Sequence, residues 1–204
     1  MIQKIDQEIE VKFHLSNRAA FEQRLIKQNA ILLHARILES NLRFDTPGRE
    51  LTHEHRVLRL RRDNHIHLTY KGPADPNLPV TVRQEIEFEA NDFEAAHRFL
   101  VALGYEVSVA YEKYRTTYIF EKVEVSLDEM PIGDFCEIEG ADIPAVQTAV
   151  ESLGLKWEAR ILESYLALFN NLRVKYGIPA DNLTFAELQG TDIHLDGIGI
   201  KAGD

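Results

Sequence analysis

In the stretch Gln7–Phe13 charged and apolar residues alternate strictly. Glu8, Glu10 and Lys12 share one parity; Ile9, Val11 and Phe13 share the other. A period of two is the pleat of a β-strand, whose successive side chains point to opposite faces. The pattern recurs: Arg83, Glu85, Glu87 and Glu89 oppose Val82, Ile86 and Phe88, and Arg59 and Arg61 alternate with Leu58 and Leu60. Lys113 and Arg115 project together, as do Glu137 and Glu139 around Ile138. Any one such strand, taken alone, reads as the wet face of an ordinary antiparallel sheet. Together they read differently, because the charged face carries few of the Thr, Ser and Gln residues of a merely wet surface. About four amphipathic helices are available to cover the apolar face. Six or more strands with helices on one side and charges on the other can curl into a barrel with a charged lumen. Such a lumen is unfavourable unless ions and a ligand fill it.

The tetrapeptide QEIE occurs at Gln7–Glu10 and again at Gln84–Glu87, each time ahead of a helix-like stretch, and a third EIE lies at Glu137–Glu139. Ser16 can cap a helix with Ala20, Phe21, Leu25 and Ile26 on one face. Asn91 and Glu94 form a capping box for a helix with Phe93, Ala96, Leu100 and Leu103, stopped by Gly104. Further helices are predicted from about Ile143 to Leu153 and from about Glu158 to Leu172. The repetition describes two similar halves, each opening strand–helix, with an extra strand–helix added. Other strands are predicted at roughly Ile37–Phe44, Val57–Arg61, Ile66–Lys71, Tyr111–Phe120 and Lys122–Asp128, between polar turns that carry the prolines. The result is an α+β chain with about eight strands, a single domain over residues 1–172. The irregular tail, 173–204, is expected to be a lid or loosely attached, with Gly197–Gly203 a disordered end.

With 33 acidic residues against 23 Lys and Arg, the chain carries a formal charge of -10. That balance argues against a protein that coats DNA or RNA and, at face value, against a small polyanionic ligand too. A single cysteine, Cys136, excludes an internal disulfide and favours a reducing compartment. MIQKIDQEIEVKF lacks the apolar core of a secretory signal, and no apolar run approaches the roughly 20 residues of a membrane span. A cytoplasmic protein without membrane partners is expected.

The chemistry that suits a charged lumen is phosphoryl transfer, in which cations grip phosphates and carboxylates hold divalent metals. Glu-x-Glu pairs suit Mg²⁺, and Arg pairs at i, i+2 present forked donors to phosphate oxygens. Glu8-Ile-Glu10-Val-Lys12 is an ExExK motif that resembles the signature of the CYTH superfamily. These are the triphosphate tunnel metalloenzymes, including class IV adenylyl cyclases, thiamine triphosphatases and inorganic triphosphatases. Leu58-Arg-Leu-Arg61, Leu68-Thr-Tyr-Lys-Gly72, Arg83-Gln-Glu-Ile-Glu87, Lys113-Tyr-Arg115, Ser126-Leu-Asp128 and Gly133-Asp-Phe-Cys-Glu-Ile-Glu139 follow in the family's order. Ser164-Tyr165 resembles the family's late Ser-Tyr element, with Glu163 where a basic residue usually precedes it.

The resemblance implies a closed eight-stranded antiparallel tunnel with helices outside. Glu8, Glu10, Glu137 and Glu139 would hold a metal. Lys12, Arg59, Arg61, Lys71, Arg83, Lys113 and Arg115 would bind the phosphates. Glu85, Glu87 and Asp128 would serve a second metal or orient the nucleophile. Two Mg²⁺ or Mn²⁺ ions are implied. These seven acids and seven bases sum to zero, so two divalent ions would bring the tunnel close to matching a triphosphate. The acidic excess then belongs to the outside.

Two chemistries share such a site: hydrolysis of the terminal phosphate of tripolyphosphate, thiamine triphosphate or a nucleoside triphosphate, and cyclisation of ATP to cyclic AMP and pyrophosphate. Hydrolysis is the preferred expectation because it needs no base-recognition pocket. A protein that binds polyphosphate or nucleotide without turnover is the third reading, disfavoured by the second acidic cluster. The helix-covered outside has room for a homodimer contact, though no stripe marks one. His53-x-His55 and His65-x-His67 read as exposed pairs beside turns, with His67 sharing the inward parity of Thr69 and Lys71. Cys136 reads as a small core residue.

Overall fold

The computed structural model describes residues 7–204, so residues 1–6, where the predicted domain begins, lie outside the described residues. The alternating segments form eight antiparallel strands: β1 (Gln7–Leu15), β2 (Ile31–Asp45), β3 (Val57–Arg62), β4 (Ile66–Lys71), β5 (Thr81–Glu89), β6 (Glu106–Phe120), β7 (Val123–Met130) and β8 (Gly133–Gly140). They close into a ring in the order β1-β5-β4-β3-β2-β6-β7-β8, with β8 returning to β1. This order maps onto itself when β1–β4 are exchanged with β5–β8, which is the two-half repeat legible in the sequence. The two QEIE segments abut, with Gln7 opposite Gln84.

Because side chains alternate across each strand, the apolar parity points outward beneath helices α1 (Arg18–Lys27), α3 (Phe93–Ala102) and α4 (Ile143–Ser152), whereas α5 (Tyr165–Tyr176) packs on Tyr111, Met130 and Phe135, which share the charged parity; α2 (Glu50–His53) is a single turn. Phe21 and Leu25 of α1 and Val146, Val150 and Leu153 at α4 bury against Val11, Phe13, Val125 and Ile138 of the ring. Leu100 of α3 meets Phe44 and Leu60. That cover is partial: Phe88, on the outer face of β5, remains 56% exposed. Cys136 is fully buried in the outer core, where burial pushes its thiol well above the usual range and leaves it inert.

Several local expectations are corrected. Asn17 rather than Ser16 caps α1, accepting from the Ala20 amide at 3.0 Å, and Asp92 rather than Asn91 caps α3. The last helix begins at Tyr165, not Glu158, with Ser164 as its cap. Residues 157–159 form one 3₁₀ turn, and Ile161 then runs extended, its amide donating to the Lys12 carbonyl at 2.8 Å. Apolar spacing suited a helix there, but the free edge of the chain beside β1 claims that backbone instead.

The tail is not a loose end. Leu183 is fully buried and its backbone adds to β6, accepting from Glu112 and donating to Ala110, both at 3.0 Å. Leu195 packs into the same core as Phe169 and Leu172 of α5. The Gly203 amide donates to the His14 carbonyl at 2.9 Å, and a side chain at that position would meet Phe13. Asp204 accepts from the Ser16 and Asn17 amides at 2.7 and 3.1 Å. Leu183→Ala is therefore expected to cost about 2–5 kcal/mol, the range for truncating a buried leucine. Urea denaturation would measure this, and a loss below about 0.5 kcal/mol, typical of surface sites, would contradict the docking.

Candidate active site

The charged parity faces inward around a cavity of about 990 Å³. Cross-strand register places the inward side chains opposite one another: Glu8 faces Arg83, Lys71 faces Glu85, Arg115 faces Asp128, and Lys12 faces Glu137. α5 presses on one end. The Lys12 ammonium lies 4.3 Å over the Tyr165 ring, and the Tyr165 hydroxyl donates to Asp128 at 2.8 Å.

Most charges are paired. Glu8 accepts from Lys71 and Arg83; burial would raise its carboxyl, but these two cations override it and hold the group at about 2. Glu137 accepts from Arg115 and pairs with Lys12 at 3.1 Å, and despite burial it stays well below the usual range. Asp128 binds Lys113 at 3.0 Å and Arg115 through both oxygens at 2.6 Å. Glu87 accepts from Thr69 at 2.7 Å and from Arg59 at 3.3 Å, and burial is again outweighed, chiefly by Arg61, so its carboxyl is lowered. Glu85 pairs with Lys71 at 3.1 Å, yet burial keeps its carboxyl above the ordinary range.

Glu10 and Glu139 are the exception. They face each other directly across β1 and β8. Among the described residues Glu10 has only Arg83 within ion-pair distance, at 3.7 Å. Burial, then the Glu137 and Glu8 carboxylates, push Glu10 up to about 7. Withdrawal from water, then Glu8, Glu10 and Glu85, push Glu139 up to about 8. Two carboxylates left short of positive charge, beside two more that are over-supplied, form a donor set that fits a hard divalent cation. Among the described residues no three carboxylate or histidine side chains converge as a ready-made metal cluster. Glu8 and Glu137 are engaged by lysine and arginine. Mg²⁺ suits such a place, since it takes one or two carboxylates and completes its shell with waters and phosphate oxygens.

A pH dependence follows with a definite sign. Glu10 and Glu139 bind protons in the folded protein that the unfolded chain, at ordinary carboxylate values, has already lost. Stability of the metal-free protein therefore falls as pH rises through about 7 and about 8, where Glu10 and Glu139 are each half-titrated, and levels off roughly one pH unit above the higher value. Melting temperatures at pH 6.5 and pH 8 would show the fall, and Mg²⁺ should abolish it. A flat metal-free profile over this window would refute the electrostatic account.

The structure brings together almost every residue expected at the site. Lys12, Arg59, Arg61, Lys71, Arg83, Lys113, Arg115, Glu8, Glu10, Glu85, Glu87, Glu137 and Glu139 all line the cavity. Asp128 does not line it: it is 0% exposed beneath Lys113, Arg115 and Tyr165. His67 lines the cavity 3.3 Å from Glu87, and the exposed His65 lines it too, while His53 and His55 are exposed away from it. Sequence reasoning missed Glu39, Asn41 and Arg43 of β2 and Tyr111 of β6. Glu39 is buried between Lys113 at 3.6 Å and Arg61 at 3.9 Å, whose charges hold it at about 2 despite burial. The inward parity of Glu39, Asn41 and Arg43 was available as the signal.

A family model described as the CYTH domain matches residues 6–164. No curated protein matches the sequence. Among solved structures, a candidate adenylate cyclase from Vibrio parahaemolyticus is 22% identical with a TM-score of 0.71, covering 80% of this chain and 97% of its own. The PH1819 protein from Pyrococcus horikoshii OT3 is 27% identical with a TM-score of 0.67, covering 80% and 98%. HpAC1 from Hippeastrum, described as a candidate adenylyl cyclase with a dominant triphosphatase activity, is 19% identical with a TM-score of 0.60, covering 80% and 95%. Among the described residues no helix is long and apolar enough to cross a membrane.

Proposed function

The chain belongs to the CYTH family, and from that premise we propose that it is a divalent-metal-dependent triphosphatase, cleaving the terminal phosphate of tripolyphosphate, thiamine triphosphate or a nucleoside triphosphate. The observation that carries the reading is the opposition inside one closed tunnel. A wall of lysines and arginines stands around the cavity, while among the described residues Glu10 has only a distant Arg83 and Glu139 has no ion-pair partner. A polyanion answers the first and a metal answers the second.

Glu8, Glu10, Glu137 and Glu139 would hold the metal, with Mg²⁺ or Mn²⁺ as the fitting ions and two per site as the working number. A bound divalent ion supplies neutralisation of phosphate oxygens and a lowered pKa for the attacking water. The chain's own groups do the rest. Lys12, Arg59, Arg61, Lys71, Arg83, Lys113 and Arg115 grip the phosphates and stabilise charge on the transferring group. Glu87, locked by Thr69 and Arg59, orients the nucleophile. Glu85, with its carboxyl raised by burial, accepts the proton from water. Asp128 acts as a positioning residue for Lys113 and Arg115, in place of the direct catalytic role expected from the resemblance.

Hydrolysis is favoured over cyclisation because it asks for no base pocket. A cyclase-like name does not fix the activity, as the Hippeastrum protein's description states for itself. The test is a pair of assays with Mg²⁺ or Mn²⁺: phosphate released from tripolyphosphate, and cyclic AMP formed from ATP. Phosphate release without cyclic AMP supports the proposal. Cyclic AMP formation selects the cyclase, and binding without either product selects sequestration. The single, buried, unpaired cysteine suits a reducing compartment such as the cytoplasm, and the charged cavity suits a small-molecule substrate.

A further inference from the structure

The seven cations assigned to phosphate each lie within ion-pair distance of at least one carboxylate. Arg43 lines the same cavity and, among the described residues, has no such partner. It stands directly opposite Arg59 across β2 and β3. Its Nη2 donates to the Arg56 carbonyl at 3.5 Å, but its buried Nε has no hydrogen-bond partner. Burial and the charges of Arg59 and Arg83 lower the proton affinity of its guanidinium, a sign that like charges converge there. Tyr111 lies beside them, its hydroxyl accepting from Arg59 at 3.4 Å and free to donate onward. Two residues before Arg43, Asn41 is 1% exposed with neither amide atom partnered.

A guanidinium withdrawn from water, flanked by other guanidiniums and left with an unused donor, is unfavourable until an anion arrives. A nucleoside would offer ring faces and neutral edges, which converging arginines do not select; an oxygen-rich anion is what they select. The cavity has room for a chain longer than three phosphates. We propose that Arg43 and the Tyr111 hydroxyl, sharing Arg59 with the triphosphate grip, extend that grip by one anion subsite, and that it takes the fourth phosphoryl group of a linear inorganic polyphosphate. This rests on the tunnel being a triphosphate site.

The test is titration calorimetry of the full chain with inorganic tripolyphosphate and inorganic tetraphosphate, with and without Mg²⁺. Wild type should bind tetraphosphate roughly 10- to 100-fold tighter, the gain expected of one charge-assisted hydrogen-bonded contact. Arg43→Met should bring that ratio close to one, and Arg43→Lys, which keeps the charge and loses the fork, should retain part of it. If Arg43→Met does not fold, the lysine variant is read alone for a reduced ratio. Equal binding of the two probes by wild type, or an unchanged ratio in the variants, overturns the subsite. Binding of neither probe under both conditions overturns the tunnel reading itself, a distinguishable result.

Discussion

Exchanging Glu10 for glutamine is expected to lower metal-dependent phosphate release by roughly 10²- to 10³-fold, the loss of several kcal/mol of charge stabilisation in the transition state. The same exchange should raise the melting temperature of the metal-free protein. Glutamine keeps the size of the side chain and removes the charge that Glu8, Glu137 and Glu139 repel. For a chain of this length each kcal/mol relieved is worth about 2–4 °C. The paired outcome is the informative part, because a residue kept for folding would lose stability and activity together. Activity within threefold of wild type, or a lower melting temperature at pH 8, would remove Glu10 from the metal set.

Asp128→Ala is expected to move stability the other way, by about 3–5 kcal/mol, the cost of breaking a buried ion pair from one side. Asp128 is fully buried and receives Lys113, Arg115 and the Tyr165 hydroxyl, so its removal leaves three donors short of an acceptor. Phosphate affinity should fall as Lys113 and Arg115 lose their orientation. Asp128→Asn, which retains one acceptor oxygen and the shape, should recover part of the stability. Chemical denaturation of the three proteins decides it, and a loss under about 1 kcal/mol for alanine would show that Lys113 and Arg115 are held by Glu39 and Glu137 without Asp128.

The ring of strands and its charged interior were legible because charge contrast along a strand is local: Glu8-Ile-Glu10-Val-Lys12 states its parity unaided. The β2 contribution was not, because Ser40 places a polar residue on the outer parity and blurs the alternation that Glu39, Asn41 and Arg43 would otherwise declare. Asp128 followed the inward parity correctly, but parity cannot tell a group that meets the cavity from one covered by Tyr165, a residue of a different element. The start of α5 and the docking of residues 178–204 depend on what the backbone of β1 and β6 leaves free to pair. No window of sequence contains that information.

Closure of the ring has a consequence for how the chain reaches its native state. Both neighbours of β1 lie far downstream: Glu8 meets Arg83 and Glu10 meets Glu139, and the backbone at His14 then receives Gly203. Pairings of such long sequence separation place a fold at the slow end of folding rates, because loop entropy is lost before the contacts reward it. The strand seam of longest sequence separation, β1 against β8, is also the one that brings Glu10 and Glu139 face to face. Electrostatic repulsion therefore sits on that seam, and refolding followed with and without Mg²⁺ is expected to run faster with the ion present.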